Sequence, residues 1–165
     1  MKTTFLNRIS DGVFTKLKPC VMALGFFDGI HLGHRQLIEN AKRISLQRGL
    51  ELAVLTFFPH PKEVLNQMKF PYLISIERKI EIFEMLGVEQ LYVIRFDEKF
   101  ASLEPEVFVQ QYLISLQVKE VVAGFDFTYG SKGLGNMKVT WRRSISCKNG
   151  AQSRIIRREN KFYSY

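Results

Sequence analysis

In VMALGFFDGIHLGH, residues 21–34, an apolar run, a glycine-bearing turn and the first residues of a helix follow one another without a gap. Val21 to Leu24 suits a buried strand, and Gly25 to Gly33 supplies three glycines, Gly25, Gly29 and Gly33, where the backbone must turn and a ligand can come close. The first N–H groups of a helix have no partner within it and carry the positive end of its dipole, so a turn of this kind favours an anion before any side chain acts. His31 and His34, two of the three histidines in the chain, are spaced to add donors at that same point. A nucleotide's phosphates are the anion this arrangement predicts.

Working outward, His34 to Arg48 places Leu37, Ile38, Ala41 and Ile44 on one helical face and is followed by Gly49, a C-cap candidate. Leu50 to Phe58 is a nearly continuous apolar run, as expected of a parallel strand covered on both faces, and PHPKEVL breaks it. A second helix is expected over Tyr72 to Leu86, capped near Ser75, with Ile76, Ile80 and Phe83 inward; a strand follows over Gln90 to Arg95. Pro105 opens a helix carrying Phe108, Val109, Tyr112, Leu113 and Leu116, and Val118 to Ala123 is a further strand running into GFDFTYG. Alternation of this kind predicts an α/β fold with one Rossmann-like, doubly wound parallel sheet. Such sheets bind ligands beyond the carboxyl ends of their strands. GFFDGIHLGH, TFFPHP (residues 56–61) and GFDFTYG (residues 124–130) all follow strands, so three distant segments are expected to converge on one crevice.

Composition restricts the function. The chain has 165 residues, enough for one domain with a sizeable core, and 46% hydrophobic and 24% charged residues, as in ordinary soluble proteins. No apolar run has the length of a signal peptide or a membrane span, so a cytoplasmic location is expected. Cys20 and Cys147 stand far apart and belong to no Cys-x-x-Cys or Cys/His cluster, which argues against a structural zinc or a disulfide framework. No protein-held metal is expected, and Mg²⁺ would arrive with phosphates. The net charge of +8 is concentrated at one end. Residues 1–137 hold 16 Lys and Arg against 15 Asp and Glu, and residues 138–165 hold 8 against 1. Charges of both signs are interspersed over the main part, which makes nucleic acid an unexpected partner.

GFFDGIHLGH resembles the nucleotide-binding signature of the nucleotidyltransferase superfamily, and with TFFPHP and GFDFTYG in order it resembles the adenylyltransferase half of the prokaryotic FAD synthetases. The resemblance covers residues 1–137 and implies the nucleotidyltransferase type of fold, with adenylyl transfer from ATP to FMN giving FAD and pyrophosphate. It implies that Gly25, Phe26, Asp28, Gly29, His31, Gly33 and His34 bind ATP, with His31 and His34 on its phosphates. It implies also that Pro59, His60, Pro61, Gly124, Asp126, Phe127 and Gly130 border the flavin and nucleotide sites. Phe58, Phe125, Phe127 and Tyr129 could wall an isoalloxazine or an adenine, with His60 and Asp126 as polar contacts. For Phe125 and Phe127, packing beneath the loop is an equal alternative. Phe26 and Phe27 read as core, and Asp28, in an Asp-Gly pair, as a cap on its own turn.

The bifunctional relatives carry a riboflavin kinase domain, and none is expected here. Their pattern also continues past GFDFTYG with a helix, a strand and a Ser-Ser-Thr-x-x-Arg segment, in place of which this chain reads VTWRRSISCKNGAQSRIIRRENKFYSY. Truncation or a reading-frame shift in the coding sequence would produce such a break. Residues 138–165 are expected to be a disordered basic tail, leaving the last layer of the fold incomplete and the final strand with a bare edge. Two other functions are alternatives: a catalytically weak domain that holds flavin or ATP, and an adenylyltransferase acting on another phosphorylated acceptor, which would share His-x-Gly-His but have no reason to carry both TFFPHP and GFDFTYG. A scaffold using the basic tail on nucleic acid or acidic partners is a third.

Overall fold

The apolar runs become parallel strands of one sheet, and the amphipathic segments between them become its covering helices. The structure is a computed structural model that describes residues 1–7, 17–124, 127–130, 135–136 and 154–155; at 129, 135, 136, 154 and 155 the backbone alone is described. Strands β1 (Lys2–Leu6), β2 (Cys20–Leu24), β3 (Glu51–Phe58), β4 (Gln90–Arg95), β5 (Val118–Ala123) and β8 (Arg154–Ile155) pair in parallel in the order β1-β4-β3-β2-β5-β8. A separate antiparallel pair, β6 (Thr128–Tyr129) with β7 (Gly135–Asn136), lies between β5 and β8 in sequence.

Period-two alternation along the central strands divides the core into two clusters. Met22, Leu24, Ala53, Leu55, Tyr92, Ile94 and Val121 face one way and pack on Phe108, Val109, Tyr112, Leu113 and Leu116. Val21, Ala23, Leu52, Val54, Leu91, Val93 and Val122 face the other way. They pack on Ile38, Ala41 and Ile44 of α1 (Leu32–Arg48) and on Ile82 and Phe83 of α3 (Ile76–Met85). Each such buried aliphatic side chain contributes about 1.5–3 kcal/mol of transfer free energy. Two short helices complete the connections, α2 (Pro61–Asn66) and α4 (Glu98–Ala101). The helix opened by Pro105, α5 (Pro105–Phe108), continues as a π-helix over Val109–Ile114. Gly49 ends α1 at φ 63, and Ser75 caps α3 by accepting from the Arg78 N–H, both where the sequence places them.

The chain runs β2 to β3 to β4 in one direction across the sheet, then returns to the other side of β2 as β5. The crossovers of the two halves lie on opposite faces, so the order reverses beside β2 and a crevice opens there beyond the strand ends. β3, β2 and β5 are neighbours, and they end in TFFPHP, GFFDGIHLGH and GFDFTYG respectively.

Several details depart from the sequence reading. β1 was not anticipated: Lys-Thr-Thr has little apolar signal, and the strand exists by pairing with β4 at the far edge, where Phe5 stays largely exposed. α1 begins two residues early, at Leu32, so that His31 is its N-cap. The inward stripe of α3 is Lys79, Ile82 and Phe83, with Ile76 and Ile80 at its margin. The outer edge of β5, expected bare, carries β8 at Glu120 and Val121. The rest of the expected disordered tail lies outside the described residues.

Candidate nucleotide site

The turn after β2 is held in an uncommon backbone conformation. Phe27 (φ 55) and Ile30 (φ 41) both lie in the left-handed region, beside Gly29 at φ 70. For a β-branched residue this is a genuine outlier, costing about 1–3 kcal/mol. Complete burial of both side chains opposes that cost, Phe27 at 0% and Ile30 at 2% exposure. The turn thereby brings His31 to the start of α1 in an extended conformation, with its carbonyl accepting from the Arg35 N–H at 3.0 Å and its ring taking no part in capping. His31 is exposed and His34 half-buried. Their rings stack at 3.7 Å with 24° between planes, and His34 meets the buried Phe27 ring edge-on at 5.3 Å. Two imidazoles and the first amides of a 17-residue helix are thus gathered at one end of the crevice, an arrangement suited to a polyanion.

The glycines of this segment serve the chain's own packing. A Cβ on Gly25 would stand 2.9 Å from the Phe27 ring, one on Gly29 2.9 Å from Leu73, and one on Gly33 3.4 Å from the His31 ring. Asp28 also differs from its reading as a local cap: its carboxylate accepts from the Leu73 N–H at 3.1 Å, tying the turn to the segment before α3.

The second motif closes on the first. Phe58 leads through a cis peptide to Pro59, and His60 caps α2, its Nδ1 accepting from the Lys62 N–H at 3.0 Å. The His60 ring stands edge-on to Phe26 at 4.0 Å and stacks on Phe70 at 3.6 Å. Burial, then the nearby Lys62 charge, lowers the His60 pKa. The His60 backbone N–H donates to the Tyr72 hydroxyl at 2.8 Å, and that hydroxyl donates to Glu63 at 2.6 Å. Burial and the bond to Glu63 push the Tyr72 pKa up to about 12. Phe58 is exposed at 41% and lies against Tyr72 at 5.6 Å, so Phe26, Phe58, His60, Phe70 and Tyr72 form a continuous aromatic group. Pro61 is the first residue of α2.

Phe26 is the meeting point of these segments. Its carbonyl accepts from Thr56 Oγ1 at 2.9 Å and from Lys79 Nζ at 3.0 Å, and the same ammonium stands 4.5 Å from the centre of the Phe26 ring. Lys79 is 2% exposed, and burial lowers its pKa to about 8 despite the opposing attraction of Asp28. Lys79, Phe70 and Tyr72 lie outside the three sequence motifs. The available signal for Lys79 was its place three residues after Ile76 and four before Phe83, on the apolar stripe of α3.

The third motif is anchored rather than stacked in what is described of it. Phe127 donates its N–H to the Gly124 carbonyl at 3.2 Å and packs against the sheet core with its ring 18° from parallel to Phe57 at 6.5 Å, in keeping with the packing alternative. Gly130, at φ 75, abuts Pro105, where a Cβ would stand 2.9 Å from the proline nitrogen. Phe125 and Asp126 lie outside the described residues, as does the side chain of Tyr129.

A family model described as FAD synthetase matches residues 13–157, past the break that the sequence places near residue 137. The bifunctional riboflavin kinase/FMN adenylyltransferase of Bacillus subtilis is 49% identical over 140 residues, covering 84% of this chain and 44% of that protein. The enzyme of the same description from Listeria monocytogenes is also 49% identical over 140 residues, and that from Escherichia coli K12 is 34% identical over 114. This chain spans less than half the length of these curated relatives. A crystal structure described as a macrolide-efflux protein from Streptococcus pneumoniae superposes with a TM-score of 0.73 at 29% identity, covering 86% of this chain and 46% of that one. Among the described residues no helix is long and apolar enough to cross a membrane. With its family match spanning most of the sequence, its close likeness to the Bacillus and Listeria enzymes and its singly ordered parallel sheet, the chain belongs to the FAD synthetase family.

Proposed function

We propose that this domain transfers the adenylyl group of ATP to the phosphate of FMN, giving FAD and pyrophosphate. The observation that carries the reading is the stacked His31–His34 pair at the N-terminus of α1, in a chain of this family. An FMN phosphate is already an anionic nucleophile and needs no strong base. The barrier lies in bringing two anions into line and in the charge that gathers on the α-phosphoryl and leaving oxygens. His31, His34 and the first amides of α1 would supply donors to those oxygens, with Gly25, Phe26, Asp28, Gly29 and Gly33 forming the turn that presents them. Mg²⁺ would come bound to the ATP phosphates and neutralise part of their charge. Among the described residues no three His, Cys, Asp or Glu side chains gather as a metal site.

The aromatic group around Phe26, Phe58, His60, Phe70 and Tyr72 would receive the flat isoalloxazine, between the Pro59–Pro61 loop and the Gly124–Gly130 loop. A cytoplasmic location goes with ATP as a substrate. Incubation with FMN, ATP and Mg²⁺ should yield FAD and pyrophosphate in equal amounts. Binding of FMN with no product would reduce the domain to a flavin holder, and adenylylation of a different phosphorylated acceptor in preference to FMN would reassign the substrate.

A further inference from the structure

Lys79 buries an ammonium beside the turn. A buried ammonium is expensive, and its hydrogen-bond acceptor here is a carbonyl rather than a carboxylate. That carbonyl, on Phe26, already accepts from the Thr56 hydroxyl, so satisfying it does not require a second, charged donor. The ammonium also faces the Phe26 ring, which in turn touches His60. One cation on α3 therefore grips the backbone and the ring of the residue immediately before the left-handed Phe27, on whose ring His34 rests.

We propose that Lys79 is a positioning residue: by holding the Phe26 carbonyl from within the core, it fixes the turn from Phe27 to Ile30, and through it His31, His34 and the first amides of α1, in the arrangement that receives a nucleotide's phosphates. The inference deepens the reading of the domain as an FMN adenylyltransferase and rests on it for its kinetic tests. The charged and titratable groups facing Lys79 are Asp28, from the turn, which favours the ammonium, and His60, from the N-terminus of α2. Burial outweighs Asp28 and brings the ammonium's pKa to about 8, so the grip weakens to that of a neutral amine as the pH passes that value.

The test compares the full chain with Lys79→Met, which keeps the length and apolar stem, and Lys79→Arg, which keeps a charge that does not titrate. FAD formation is followed from about pH 6 to about pH 9.5. Unvaried protein should lose kcat on the alkaline side with a midpoint near pH 8. Lys79→Met should lose about tenfold in kcat near pH 7 with the FMN KM little changed, lack the alkaline limb, and unfold at no lower temperature. The ring-proton NMR shifts of His31 and His34, stacked at 3.7 Å, should move in it while the amides of α1 and α3 stay protected from hydrogen exchange. Lys79→Arg should keep more activity than Lys79→Met, also without the limb. Unchanged kcat and an unchanged limb in Lys79→Met would overturn the proposal. So would a fall in unfolding temperature with faster exchange everywhere, which marks a merely structural lysine. If the unvaried protein makes no FAD, the adenylyltransferase reading fails by itself, and the His31 and His34 ring shifts still decide the role of Lys79.

Discussion

Replacing Gly25 by alanine should disturb the histidine pair without touching it. The added Cβ would stand 2.9 Å from Phe27 Cζ and 3.1 Å from both flanking ring carbons, whereas ordinary contacts begin at 3.4 Å. The ring would have to yield by about half an ångström in a site with no slack, since Phe27 is wholly buried between Phe83 at 5.5 Å and His34 at 5.3 Å. Overpacking of this kind costs about 1–3 kcal/mol. For a chain of 165 residues, that lowers the unfolding temperature by about 2–12 °C. Any shift of the Phe27 ring is passed to His34, and displacement of a phosphate donor by a fraction of an ångström to one ångström costs up to about 10²-fold in rate. Calorimetry and FAD formation measure the two effects on one preparation. Gly33→Ala is the control for stability alone, its Cβ falling at an ordinary 3.4 Å from a solvent-facing His31 ring. In Gly25→Ala/Phe27→Leu the smaller side chain removes the clash, so the two losses should add to less than their sum. Unchanged stability and turnover in Gly25→Ala would refute the coupling between this glycine and His34.

His31→Ala and His34→Ala should each lower FAD formation by about 10²- to 10³-fold. Unfolding should hold for the exposed His31 and fall slightly for His34, which packs on Phe27; full activity in either variant removes it from the phosphate role. Arg48→Ala leaves the Glu120 carboxylate, 1% exposed and paired with Arg48 Nε at 2.6 Å, without its charge partner inside the core. Because Arg48 is 44% exposed, the loss should be about 2–3 kcal/mol rather than the full cost of breaking a buried pair, with FMN affinity unaffected. A melting temperature within a degree or so of the parent would show the pair to be dispensable. Lys79 holds its proton less well folded than unfolded, about 8 against 10.5, so the unfolded chain binds more protons between those values and Lys79's own contribution makes stability rise with pH there. Below pH 8 its burial costs about 2–3 kcal/mol, which Lys79→Met should recover less the lost hydrogen bond. Denaturant titrations of the two proteins at pH 7 and pH 10 measure this as a difference, so that Cys20 and Tyr72, pushed up to about 12 and acting in the opposite sense, cancel. A difference that does not shrink at the higher pH would contradict the burial of a charge.

The sequence by itself determined the central sheet and the strand ends at which the candidate site is proposed. β2 to β5 and the long helices are written in runs such as LAVLTFF and in caps such as Gly49 and Ser75, because burial on both faces of a parallel strand demands continuous apolar residues and helix ends demand particular side chains. The three motifs, each at a strand's carboxyl end, were legible for the same reason. Tertiary structure alone decided what depends on a distant partner. β1 and β8 are strands because an edge of β4 and of β5 is there to receive them. Asp28 turns to the Leu73 amide, forty-five residues away, when local spacing offers it nearer amides. Lys79 reads as one more surface lysine until α3 docks over the Phe26 carbonyl, since burial and hydrogen bonding are properties of the surroundings and not of the residue.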